Sequence, residues 1–359
     1  MAKLYGREYT RRELEGHVGR IEQLGGIRPI EFTAGRERGV RGFDIDTGSG
    51  LCFTALADRA LDISKATFNG RSLAYISPAG QAHPSYYEPQ DFGWLRNFPG
   101  GLLSTQGLSY LGSPCADAGE ELGLHGRVSN LPMDEIGHWG EWRGDEYHMF
   151  LRGSLAEGAI FNGNLRLTRQ ISARLGDNAF SIDDTVTNLG GLTVPLMVLY
   201  HCNLGFPLLA PTAELLCSSR RVTPRDDFAT VGLHDFARFI TPTPGIAEQC
   251  YYHDMVADNG GMVTTALVNT ALDGGLGLQI SYDKATLPEF VEWKMMGYSD
   301  YALGLEPANC LVGGRDVERA AGRLKSLEPG EEKKYHVEFR VLAGATAIAE
   351  ARERIGRLG

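Results

Sequence analysis

The stretch Leu61-Asp62-Ile63-Ser64-Lys65-Ala66-Thr67-Phe68-Asn69-Gly70-Arg71-Ser72-Leu73-Ala74-Tyr75-Ile76 decides the fold class. Two runs suited to strands, Leu61–Phe68 and Leu73–Ile76, flank Asn69-Gly70. This dipeptide accepts the backbone angles of a two-residue turn and is the strongest short-range hairpin signal. Similar runs lie on both sides. Phe43–Thr47 and Leu51–Ala57 precede the hairpin; Tyr147–Ser154, Asn164–Ser172, Val194–Asn203, Met262–Asn269, Leu276–Tyr282, Phe290–Trp293, Tyr301–Glu306 and Tyr335–Leu342 follow it. Phe180, Ile182 and Val186 alternate on one face before the turn Asn188-Leu189-Gly190-Gly191. The 46 glycines among 359 residues exceed the usual ~7% and supply the turns between such runs. The chain is expected to be all-β, with two large, curved antiparallel sheets stacked on one core and a wide groove on the concave face.

Two helices bracket the sheets. Thr10-Arg11-Arg12-Glu13 forms a capping box, and Leu14, Val18, Ile21 and Leu24 follow at helical spacing, which predicts a helix over about 10–24. Residues 347–358, rich in Ala, Glu and Arg, predict a closing helix. No linker, charge block or repeat cuts the chain, so one domain over 1–359 is expected, with its sheets over about 28–343.

Charge and motifs exclude much. Lys and Arg total 35 against 45 Asp and Glu, a net −10 that repels phosphate backbones, so no nucleic-acid partner is expected. Leu192–Tyr200, the longest mostly apolar run, is far shorter than the ~20 residues of a membrane helix and contains Pro195, so no membrane partner is expected. The N-terminus lacks the apolar core of a secretory signal, and the six cysteines are scattered without a Cys-x-x-Cys pair. Both features fit a cytoplasmic protein with reduced thiols. Phosphate-binding, dinucleotide, serine-elbow and zinc signatures are all missing.

Three segments place an ionisable side chain at the end of a strand-like run: Leu124-His125-Gly126-Arg127, Tyr200-His201-Cys202-Asn203 and Leu305-Glu306-Pro307. A lone histidine in an apolar run such as that of His201 is ordinarily a satisfied core residue, and Arg59 between Asp58 and Asp62 is ordinarily an ion pair. Glu306 after Ala302-Leu303-Gly304-Leu305 differs, since burying a carboxylate is costly unless it has a task. One carboxylate and two imidazoles are the parts that proton transfer needs near neutral pH. A metal site built from the same three residues ranks lower, because no short-spaced ligand pair anchors it.

At these residues the sequence resembles the aldose 1-epimerase (galactose mutarotase-like) superfamily, and most of all its aldose 1-epimerase-like branch of unknown function. The likeness runs in order through Arg59-Ala60-Leu61-Asp62-Ile63, Gly100-Gly101-Leu102-Leu103-Ser104-Thr105-Gln106-Gly107-Leu108, Leu124-His125-Gly126-Arg127, Tyr200-His201-Cys202-Asn203-Leu204-Gly205, Glu292-Trp293-Lys294, Leu305-Glu306-Pro307 and Leu327-Glu328-Pro329-Gly330-Glu331. It implies a β-supersandwich and an isomerase that opens a cyclic sugar and recloses it on the opposite face, with a small-molecule sugar as partner and no cofactor or metal. By this resemblance Glu306 is the general base on the anomeric hydroxyl, His201 the acid on the ring oxygen, and His125 a second histidine that binds and polarises the sugar. Arg59, Arg127, Asn203, Trp293 and Lys294 are expected to bind substrate, and Asp235 is the candidate acid for gripping hydroxyls. Asp58 and Cys202-Asn203 stand where well-studied mutarotases carry other residues, which concerns substrate more than reaction. Arg59, Arg127 and Lys294 point to an anionic sugar, since guanidinium and ammonium groups hold such charges. Chemistry at another sugar carbon, or carbohydrate binding without catalysis, are the alternatives.

Overall fold

The computed structural model describes residues 1–358, and the 24 strands among them bear out the all-β expectation. One antiparallel sheet has eight strands in the order Glu135–Arg143, Glu146–Gly158, Asn164–Arg174, Ala179–Asn188, Glu332–Ala343, Leu276–Asp283, Met262–Asn269 and Ala213–Leu216. A second large sheet runs Ser219–Pro224, Gln249–Met255, Glu289–Met296, Tyr301–Ala308, Val194–Leu204 and Lys325–Leu327, with Ser104–Leu108 also paired to Val194–Leu204. A third, five-stranded sheet over Gly26–Ser72, not foreseen as separate, contains the hairpin at Asn69-Gly70, where Phe68 pairs with Arg71.

Strict alternation makes the core. Along Asn164–Arg174 the inward residues are Leu165, Leu167, Arg169, Ile171 and Ala173. They join one hydrophobic cluster with Ile63 of the third sheet and Tyr200, Cys202, Leu303 and Leu305 of the second, each fully buried Leu or Ile contributing ~1.5–3 kcal/mol. Arg169 is the exception in this apolar row, and its side chain is wholly buried. It holds Asp184 with two hydrogen bonds of 2.9 and 2.7 Å, Asp62 Oδ1 at 2.9 Å and Thr105 Oγ1 at 2.8 Å. Tyr200 donates to Asp184 Oδ2 at 2.7 Å. Residues of all three sheets therefore meet at one guanidinium, and the meeting point fixes the strand that carries His201.

The capping box at Thr10 forms in both directions, but the helix spans only Arg11–His17 rather than reaching Leu24. Gly16 and Gly19 weaken helix propagation there, and the chain continues as a short turn at Ile21–Gln23. The closing helix, Ala345–Gly356, starts and ends two residues early. No helix among the described residues is long and apolar enough to cross a membrane.

Candidate active site

Strand alternation sorts the second sheet into two faces. Along Glu289–Met296, Val291, Trp293 and Met295 line a cavity of about 610 Å³, whereas Phe290 and Met296 face the core. Val291 pairs with Glu306 and Trp293 with Gly304, which brings Glu306 onto the cavity face. Gly304 has a specific role: a Cβ there would overlap Glu306 Oε1, so only glycine leaves that carboxyl its position. His201 projects from Val194–Leu204 into the same cavity.

His125 arrives from a loop. Its φ of 60° is left-handed, as is that of Gly126, whose missing Cβ allows close approach to the carbonyls of Gly107 and Tyr110. The His-Gly pair is thus a turn that the backbone around it demands. This loop and the stretch around Phe92–Phe98 form part of the wall of the same half-open cavity.

The three catalytic candidates meet. Glu306 Oε1 lies 3.2 Å from His201 Nε2, out of hydrogen-bond alignment, and the residues are 2% and 6% exposed. The imidazoles of His125 and His201 stand edge to face with centroids 6.2 Å apart. Glu306 Oε1 and the Nδ1 atoms of both histidines have no protein hydrogen-bond partner, as expected of groups reserved for a ligand. Burial, reinforced by Glu248 and opposed by Arg225, holds the Glu306 carboxyl well above its ordinary range. Burial pushes His201 down to about 3, and burial with His201 and Arg225 nearby pushes His125 to about 3. Both shifts favour the neutral carboxylic acid beside a neutral imidazole.

Of the expected binding residues, Trp293 alone lines this cavity. Its ring packs against His201 at 5.5 Å, and its indole N–H donates to Glu248 Oε2 at 2.7 Å. Arg59 is a correction. It is 1% exposed and donates to the carbonyls of Ala82, Asn97 and Ser129 and to Asn130 Oδ1, so it ties loops together and presents nothing to the cavity. Asn203 is likewise sealed, its amide donating to the carbonyls of Gly101 and His201. Lys294 points to the other face and donates to the Asp235 carbonyl at 2.7 Å, so neither Lys294 nor Asp235 reaches the site. Arg127 lies in a different depression, hydrogen-bonded to the Tyr110 hydroxyl.

Sequence reasoning missed six polar lining residues: Tyr75, Ser77, Ser113, Arg225, Glu248 and Asp300. Arg225 donates to Glu248 Oε1 at 2.9 Å, and the Tyr75 hydroxyl donates to Asp300 Oδ1 at 3.3 Å. All six stand outside the three quoted segments. The cavity's one guanidinium is already paired, and its other charged groups are carboxylates, so the basis for an anionic sugar disappears.

The fold matches solved structures over nearly its whole length. A candidate aldose 1-epimerase from Klebsiella pneumoniae superposes with a TM-score of 0.89 at 24% identity, covering 94% of this chain and 91% of that one. A galactose mutarotase-like protein from Clostridium acetobutylicum gives 0.61 at 12% identity, covering 89% and 99%. A galactose 1-epimerase from Lactobacillus acidophilus gives 0.58 at 13% identity, with 89% and 99% covered. The galactose mutarotase-like fold is therefore this chain's fold. No curated protein matches the sequence. A family model described as a domain of unknown function, DUF4432, matches residues 37–341, and the chain belongs to that family.

Proposed function

We propose that the protein is a sugar isomerase that interconverts the anomers of a neutral aldose by acid–base ring opening. The observation that carries this is the 3.2 Å approach of a buried carboxyl and a buried imidazole at the floor of one cavity. Hydroxyls donating to Glu306 would stabilise its ionised form and move the carboxyl proton to His201. Glu306 then accepts the proton of the anomeric hydroxyl while His201 protonates the ring oxygen and the C1–O5 bond breaks. Rotation about C1–C2 and the reverse transfers close the ring on the other face. The pair returns with the proton it began with, so the cycle balances without a proton from solvent. In this reading His125 would polarise the ring oxygen, Trp293 would offer a face for sugar C–H groups, and Glu248 and Asp300 would accept from hydroxyls; all four line the cavity. The core cluster runs from Phe43 to Val341, in keeping with a chain that works as one domain.

Magnetisation-transfer NMR on anomer mixtures of neutral aldoses tests the proposal. Exchange above the spontaneous rate is expected. Deuterium from solvent appearing on carbon would instead indicate chemistry away from C1, and binding without exchange a carbohydrate-binding protein.

A further inference from the structure

The acid–base pair sits at the cavity floor, so a sugar must enter with its anomeric end inward and its far end toward solvent. The polar lining residues Arg225, Glu248 and Asp300 are themselves exposed at the mouth. The mouth also carries an apolar pair: Phe92 and Leu95 line the same cavity and are 60% and 55% exposed. Neighbouring exposed apolar side chains rimmed by polar groups mark a surface that a ligand can cover.

These two side chains are held on a fixed base. They lie on either side of Trp94, in and beside the turn Gly93–Arg96. Trp94 is 3% exposed, stacks on Phe98 at 4.5 Å and meets the His125 ring at 4.8 Å. The Arg59 guanidinium holds the Asn97 carbonyl directly after the turn. A cavity of about 610 Å³ lies well inside the range that takes drug-sized ligands, which are larger than one hexose.

We infer that the substrate is a reducing saccharide of at least two units, with the second ring resting on Phe92 and Leu95. This rests on the anomer-exchange reading and names its substrate class. The apolar C–H face of a pyranose is the surface that an aromatic ring and a leucine complement, and the reducing unit alone leaves both uncovered.

Calorimetric titration and anomer exchange are compared for glucose and galactose, each alone and as the reducing end of a 4-O-linked disaccharide. At least one disaccharide is expected to bind about tenfold more tightly than its reducing unit, the effect of one well-formed ring contact. In the double variant Phe92→Ser, Leu95→Ser, whose exposed positions should tolerate the change, that affinity ratio falls to near one. Equal binding of disaccharide and monosaccharide, no disaccharide binding, or a ratio unchanged in the variant overturns the inference. Binding with the predicted preference but no exchange overturns the isomerase reading alone, and exchange without the preference overturns the second-ring subsite alone.

Discussion

Replacing Glu306 by glutamine should separate activity from stability in a way that reports the state of this carboxyl. Burial raises its pKa above the ordinary 4.5, so the folded protein favours the neutral acid, which an amide closely imitates. The sign follows from linkage. A carboxyl with a raised folded-state pKa binds more protons in the folded than in the unfolded chain, so its favourable contribution is complete below pH ~4.3 and fades as pH rises toward the folded value. Glutamine has no such slope. Glu306→Gln should therefore melt within a few degrees of the wild type at pH 5 and compare increasingly well as pH rises to 8. Anomer exchange should fall by ~10²–10⁴, the usual weight of a general base, equivalent to about 3–5 kcal/mol of barrier. Scanning calorimetry at the two pH values and magnetisation-transfer NMR provide the readouts. Exchange within tenfold of the wild type would remove Glu306 as the base. A variant that loses ground to the wild type as pH rises would show that the folded state prefers the carboxylate, against the burial argument.

Gly304→Ala should displace the Glu306 carboxyl and lower kcat at least tenfold with little change in melting temperature, because the overlapping atom is the end of a side chain; unchanged kcat would refute the role given to that glycine. Arg59→Lys cannot reach all four carbonyl and amide acceptors that the guanidinium spans, and should lower denaturant stability by on the order of 3 kcal/mol as charged hydrogen bonds are lost. A change under 1 kcal/mol would mean that Arg59 does not tie the loops. His201, held neutral down to about pH 3, should make the wild type lose up to ~1.4 kcal/mol per pH unit as pH falls below ~6.5. Calorimetry on His201→Gln should show a shallower acid slope, and an identical slope would count against the burial of a neutral imidazole.

Much of the fold was legible because its central strands obey simple rules. Val194–Leu204, Met262–Asn269 and Leu276–Asp283 are dense in apolar residues and end close to their expected limits. Glu135–Arg143 was invisible: it is an edge strand, exposed along most of its length, and carries no inward apolar row. Glu306, His201 and His125 stood out because each interrupts an apolar or turn-forming context, and Trp293 was found beside them. Arg59, Asn203 and Lys294 failed as binding residues for a common reason. Charge and amide chemistry are visible in sequence, but whether a side chain faces a cavity or the backbone of a neighbouring loop depends on strand parity and loop path. Arg225 and Glu248 show the reverse, lying in irregular chain that only the folded sheet brings to the site.

The junction at Arg169 has an evolutionary consequence. Two acids and one base share a dry interior, so replacing Arg169 by an apolar residue strands both carboxylates, at a cost of about 3–5 kcal/mol. That is a large share of the ~5–15 kcal/mol by which most proteins are stable. The arginine is thus the member least free to change alone while Asp62 and Asp184 remain. Rim residues such as Phe92 face no such bond to their neighbours, leaving ligand preference free to drift while the scaffold beneath stays locked.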